Sequence, residues 1–384
     1  MQKRFLYFLL TAAICGLTAC GIQAAVPLPK KGTETMLTEY YFPSEENAHE
    51  GTWLTWPHHH TYGKEYRDEI EGIWLAIAAA LHTGETVHII AYDEEEKHRI
   101  TRLLQSRQIH MSRVDFVIAK SDDVWSRDTG PMFVLDKNGR RFIADFAFNG
   151  WGKKTPFQND DDIPRAIAAA KGFPILPITY FVLEGGSVEL DGSGTAMLCK
   201  SSVISEGRNP NMQVAEAEEY LARYLGATNF IWLEGVVGED ITDAHIDGTA
   251  RFVDDKTILT LSEPDFFHLY EGVIESDYAT LRSAKNANGE LYEIIELPTT
   301  AENVDGLDYK GGYLNYYVGN EVVLVPVYGD RNDAIAVKIL SELYSARKVV
   351  PIDVTVLYQY GGMLHCVTQQ QPQESICPAS VLYE

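Results

Sequence analysis

Apolar positions along the chain alternate between two rhythms. Thr86-Val87-His88-Ile89-Ile90-Ala91 is rich in β-branched residues and predicts a strand. Just before it, Ile70, Trp74, Ile77 and Leu81 recur at three- and four-residue spacing, which predicts a helix with one buried face. Thr195–Cys199, Thr257–Leu261 and Val322–Pro326 read as further strands. Helices are predicted near 162–171, 213–225, 266–284 and 332–345, the last with Ala334, Val337, Ile339 and Leu340 on its apolar side. From 162 onward the helices recur roughly every 50–65 residues, a spacing suited to a β-rich unit used several times. A plain doubly wound sheet would alternate faster. No repeated sequence motif accompanies the rhythm.

Clusters of Gly, Asn and Asp at 136–139, 191–194, 285–289 and 302–312 mark turns, and no Pro/Ser linker divides 37–384. One domain over 37–384 is therefore expected. The first residues read differently. Lys3 and Arg4 precede a short apolar run, Phe5 to Ile14, too short to span a bilayer comfortably. Leu17-Thr18-Ala19-Cys20 follows and is similar to a bacterial lipoprotein cleavage box. The expected organisation is a signal peptide over 1–19, a tether over 20–36 and lipid on Cys20, with cleavage near Ala24 or Ala25 as the alternative. Both readings export the chain to the cell envelope, periplasm or exterior.

Composition adds two constraints. An apolar content of 45% in 384 residues supports a sizeable core. A net charge of −23 argues against nucleic acid or an anionic membrane surface as partner, leaving membrane attachment to the lipid alone. The same charge suits a small cationic ligand. Oligomeric state is not legible.

Of five cysteines, Cys15 falls in the signal and Cys20 at the lipidation position. Cys199 lies in a buried-strand pattern, where a cysteine acts as a small hydrophobe. Cys366 differs, because it closes Gly361-Gly362-Met363-Leu364-His365-Cys366. A thiol after a flexible glycine pair is placed like a nucleophile. A Cys366–Cys377 disulfide is the competing reading. An unperturbed thiol, with pKa about 8.5, is only slightly ionised at neutral pH, so a bound cation would help activate it. His365 is the less favoured proton partner, because strand neighbours point to opposite faces.

Two upstream stretches supply complementary groups. His245-Ile246-Asp247 would place imidazole and carboxylate on one face of a strand. Trp125-Ser126-Arg127-Asp128 adds an aromatic wall and a second carboxylate, unless Asp128 pairs with its neighbour Arg127. Two carboxylates could bracket a planar guanidinium through paired hydrogen bonds and leave its carbon open to attack. Glu184-Gly185-Gly186 offers another acceptor beside glycines that permit close backbone approach. His58-His59-His60 reads as a loop rather than a metal site, since successive residues do not converge on one ion. No P-loop, dinucleotide fingerprint or Gly-x-Ser-x-Gly elbow is present.

Taken together, the chain resembles the agmatine deiminase and Porphyromonas-type peptidyl-arginine deiminase family. The resemblance rests on Glu50–Pro57, Asp123–Pro131, Phe148–Gly152, Glu184–Gly186, Arg208-Asn209-Pro210, Asp243–Asp247, Tyr313–Tyr317 and the Cys366 segment with its Thr-Gln-Gln-x-Pro tail, in that order. It implies an α/β fold, the pentein five-bladed α/β propeller of ββαβ-like units. It also implies a hydrolase that converts a guanidine to a urea with loss of ammonia, without metal or organic cofactor. Agmatine would yield N-carbamoylputrescine, a step toward putrescine. By motif, Cys366 attacks the guanidinium carbon, Asp128 and Asp247 hold the nitrogens, and His245 protonates ammonia and then activates water. Trp125, Glu184 and Asn315 shape and support the pocket. The family commonly has Gly-Gly-Gly-x-Ile-His-Cys where this chain has Gly361-Gly362-Met363-Leu364-His365-Cys366, and favours glycine where Ala244 stands.

Two alternatives remain. One is action on arginine in peptides, for which Lys153 and Lys154 are the available cations near the motif. The other is an inactive amine-binding lipoprotein on the same fold.

Overall fold

Among the described residues five separate β-sheets carry the fold, and four of them contain a strand that the sequence marks. The computed structural model describes residues 38–374, all in one compact unit. The expected signal and tether, with Cys15, Cys20 and Cys377, lie outside the described residues. In three sheets an antiparallel pair is followed by a helical crossover and a parallel third strand. These are Val188–Leu190, Thr195–Cys199 and Asn229–Leu233; Ala250–Phe252, Thr257–Leu261 and Glu293–Leu297; and Tyr317–Val318, Val322–Val327 and Lys348–Asp353. A fourth sheet uses the same plan over Met132–Asp136, Arg141–Ala147 and Ile175–Val182, with Tyr40–Tyr41 added at one edge.

The fifth sheet joins the two ends of the described chain. Gln369–Pro372 pairs antiparallel with His49–Thr55, which runs parallel to Thr86–Ala91, which in turn runs parallel to Val114–Ile118. Trp53 Nε1 donates to Gln371 Oε1 at 2.9 Å. This pairing fixes the segment just after Cys366. Parallel partners need crossovers, and helices such as Gly63–Leu81 supply them. Ile70, Trp74, Ile77 and Leu81 are fully buried there, as their spacing predicts.

Helices Ile163–Lys171, Val214–Leu225 and Asp333–Leu343 match expectation. The single helix expected over 266–284 is instead two, Glu263–Phe266 and Glu275–Arg282. Gly272, at φ +94°, breaks it, and Tyr270 turns its hydroxyl to Asp240 at 2.6 Å. His245-Ile246-Asp247 is not a strand. It enters a 3₁₀ turn, Ile246–Gly248, after a left-handed backbone at Asp243 and Ala244. His58 is buried rather than solvated, hydrogen-bonded to Ser121 at 3.0 Å, and His60 stacks on Tyr92. Among the described residues no His, Cys, Asp or Glu cluster has metal-site geometry.

Candidate active site

Three chain segments meet at Gly186. A methyl group built on its Cα would lie 2.6 Å from His245 Nδ1, 3.0 Å from Asp128 Oδ1 and 3.1 Å from Asp247 Oδ2. Only hydrogen fits there, which is the physical reason for glycine after Glu184-Gly185. The Gly186 N–H donates to Asp128 Oδ1 at 2.9 Å.

Asp128 lies in the short helical turn Ser126–Thr129. Its other oxygen accepts from Trp151 Nε1 at 2.9 Å. Arg127 does not pair with it. That guanidinium turns to Glu45, Gln370 and the His365 carbonyl, leaving Asp128 free for the site. The Arg127 N–H donates to the Cys366 carbonyl at 3.0 Å, so the carboxylate and thiol segments are bonded side by side.

Cys366 follows the bend at Gly361, φ +103°. Any side chain at Gly362 would collide with the Trp125 indole, 2.3 Å from its nearest atom. Trp125 is thereby packed on the glycine pair beside the thiol. Asn315 Oδ1 receives the Cys366 N–H at 3.2 Å and its thiol at 3.3 Å, while Asn315 Nδ2 donates to Asp247 Oδ2 at 3.0 Å. Among the described residues no disulfide involves Cys366; the competing partner, Cys377, lies outside them.

His245 Nε2 meets Glu184 Oε2 at 2.7 Å, and its Nδ1 lies 3.8 Å from Asp128 Oδ1. Glu184, fully buried, is gripped from its far side by Arg208 through Nε at 3.0 Å and Nη2 at 3.3 Å. All seven side chains named by sequence, Trp125, Asp128, Glu184, His245, Asp247, Asn315 and Cys366, therefore belong to one connected constellation.

Its electrostatics are set by burial and by three converging carboxylates, Asp128, Glu184 and Asp247. Burial raises the Cys366 thiol well above its ordinary pKa, and the Asp247 and Asp128 carboxylates raise it further. Burial pulls His245 down, but Asp128, Glu184 and Asp247 outweigh it and lift the imidazole to about 9. Asp128 is raised, chiefly by burial. Burial pushes Asp247 the same way, yet His365 overcomes it and holds Asp247 below its usual value. These shifts pair a neutral thiol with an imidazolium and an ionised Asp247.

Sequence reasoning under-read four residues. His365, set aside as a proton partner, is buried and hydrogen-bonded to Asp247 at 2.7 Å and Glu45 at 2.9 Å. Trp151 and Arg208 stood in noted motifs without a role. Glu45, which collects Arg127, Arg251 and His365, carries no local signal.

A family model described as Porphyromonas-type peptidyl-arginine deiminase matches residues 41–372. Candidate agmatine deiminases of Streptomyces coelicolor and Selenomonas ruminantium are 32% and 30% identical to the chain, each over 87% of it and over 99% and 96% of their own lengths. Among solved structures, a candidate arginine deiminase from Porphyromonas gingivalis superposes with TM-score 0.78 at 32% identity, covering 88% of this chain and 99% of that one. A substrate-bound agmatine deiminase variant from C. jejuni superposes with TM-score 0.75 at 26% identity, covering 87% and 97%.

Proposed function

The chain belongs to the Porphyromonas-type peptidyl-arginine deiminase family, and from that premise we propose that it hydrolyses agmatine to N-carbamoylputrescine and ammonia. One observation carries the reading: Asp128, His245 and Asp247 converge on Gly186, while Asn315 links Asp247 to the Cys366 thiol. Two carboxylates at one point suit a planar cation, and burial makes leaving them unpaired costly.

The chemistry follows from the charges. A guanidinium between Asp128 and Asp247 offsets the negative field that keeps Cys366 protonated, so binding and thiol activation are one event. As the cation binds, the Cys366 thiol gives its proton to solvent, and the resulting thiolate adds to the guanidinium carbon, moving the C=N electron pair onto nitrogen. His245, already an imidazolium, gives its proton to the departing nitrogen, and ammonia leaves a covalent thiouronium. The neutral imidazole then takes a proton from water, which attacks the same carbon. The carbon–sulfur bond breaks, and the urea product and Cys366 are released. Glu184 holds Nε2 of the imidazole throughout, and Trp151 holds Asp128. No step calls on a cofactor.

The names of the Streptomyces and Selenomonas relatives favour agmatine. Peptidyl arginine is the second reading, favoured by the description of the matching family. Lys153 and Lys154 are both exposed, and Lys154 is engaged by Asp243 at 2.8 Å. Ammonium release from agmatine, free arginine and a peptide ending in arginine separates these readings. Turnover of the peptide alone excludes agmatine, and binding of agmatine without turnover identifies an inactive amine-binding protein.

Three wider expectations belong to the same reading. The strand plan shared by four sheets, with a fifth that joins the two ends of the described chain, supports a five-bladed α/β propeller of ββαβ-like units. The Lys3-Arg4 start, apolar run and Leu17–Cys20 box support export with lipid on Cys20. The product chemistry supports a role in putrescine formation.

A further inference from the structure

Two short stretches of left-handed backbone flank the site. In Gly150–Lys153 the φ angles are +68°, +53°, +83° and +66°. Trp151 of this stretch supplies the hydrogen bond to Asp128. Asp243 and Ala244, at +61° and +65°, lead directly into His245. Glycine adopts such torsions freely, whereas the Cβ of alanine opposes them. Ala244 is therefore held in a conformation suited to glycine.

The turn is held by Asp240 Oδ1, which accepts from Thr242 N–H at 2.7 Å and Ala244 N–H at 3.3 Å, and by charge around Asp243, itself buried. Asp243 Oδ1 accepts from Gly238 N–H at 2.7 Å. Its Oδ2 receives Lys154 Nζ at 2.8 Å and also Arg208 Nη1. Lys154 Nζ donates in addition to the Ile241 carbonyl at 2.8 Å. Arg208 Nη2 donates to the Thr242 carbonyl at 2.8 Å. Lys154 follows immediately on the left-handed run that carries Trp151. It is the tie between the loop that serves Asp128 and the turn that delivers His245.

We propose that Lys154 is a positioning residue: it straps the Trp151 loop to the Asp243–Ala244 turn and keeps Ala244 left-handed, so that His245 stays aimed at the leaving nitrogen. This rests on His245 as the acid–base group of the proposed reaction. Lys154 touches no reacting atom. Without Nζ, Asp243 keeps Arg208 but loses its link to 150–153 and to Ile241, and Ala244 relaxes toward ordinary torsions. The Trp151 loop keeps its own anchors, Asn149 to Gly152 N–H at 2.8 Å and to the Gly207 carbonyl at 2.9 Å. The effect therefore falls on kcat more than on KM.

The test uses Lys154→Met, Lys154→Arg, Ala244→Gly and the double variant Lys154→Met/Ala244→Gly, assayed for ammonium release from agmatine at a temperature where circular dichroism shows all of them folded. Lys154→Met is expected to lower kcat about tenfold, with KM changed by no more than about twofold. Lys154→Arg keeps most activity. Ala244→Gly, which accepts the left-handed torsion without a strap, restores kcat of the Lys154→Met protein to within about threefold of the parent. A parental kcat in Lys154→Met, or a loss that Ala244→Gly leaves unrepaired, overturns the proposal. His245→Asn is measured alongside. If it retains parental kcat, the acid–base reading itself fails, whatever Lys154 does.

Discussion

His365 Nδ1 lies 2.7 Å from Asp247 Oδ2, so the residue beside the thiol in sequence serves the carboxylate across from it in space. Its other nitrogen meets Glu45 at 2.9 Å, and Glu45 is in turn held by Arg127 and Arg251. This chain of charges keeps Asp247 ionised against the cost of burial.

His365→Gln keeps a hydrogen-bond donor but removes the imidazole that faces Asp247. Asp247 loses the main influence lowering its pKa and titrates at higher pH. KM for agmatine is expected to rise as pH falls from 7 toward 5, by about tenfold more than in the parent. Steady-state kinetics across that range check this, and a parallel KM–pH profile contradicts it.

The thiol makes a second prediction. Burial and two carboxylates hold the Cys366 thiol protonated. Neutral iodoacetamide should label it appreciably only well above pH 9. A cationic haloacetamidine, which offsets Asp128 and Asp247, should label it at neutral pH. Asp128→Asn is expected to speed labelling by iodoacetamide while lowering agmatine turnover by at least about a hundredfold. Mass spectrometry of the labelled peptide reads both effects.

Much of this was legible beforehand, for reasons that differ by residue. Thr86–Ala91, Thr195–Cys199 and Thr257–Leu261 form the strands expected because β-branched runs bounded by turns have little other use. Cys366, Asp128, His245 and Asp247 stood out because their types suit one reaction. Their local geometry did not follow from pattern. His245 and Asp247 share the site through a 3₁₀ turn after left-handed residues, not through strand alternation. Glu45 and His365 act through partners more than 80 residues away in sequence, and no local rule records such pairings.

Gly186 offers a steric test. Its φ is not left-handed, so alanine there incurs no backbone strain, but the added methyl would occupy the point where His245, Asp128 and Asp247 converge. Gly186→Ala is expected to fold and to lose at least about a hundredfold in kcat/KM. Circular dichroism with ammonium release separates lost activity from lost folding.

His245 also links pH to stability. Its folded pKa, about 9, lies above the unfolded value of about 6.5. The stabilisation is fully present below about pH 6.5 and is lost as pH rises through about 9. The parent should therefore lose more Tm between pH 6.5 and 9 than His245→Gln does. Equal losses in scanning calorimetry contradict the assignment of His245 as a resting imidazolium.

The central claim is that Cys366 sulfur bonds to the guanidinium carbon while Asp128 and Asp247 hold the nitrogens. Rapid acid quench during agmatine turnover, followed by peptide mass spectrometry, tests it most directly. The account predicts an adduct of agmatine less ammonia on the peptide containing Cys366, absent in Cys366→Ser, which also releases no ammonium. Ammonium release by Cys366→Ser at the parental rate, with no adduct on the parent, would contradict it.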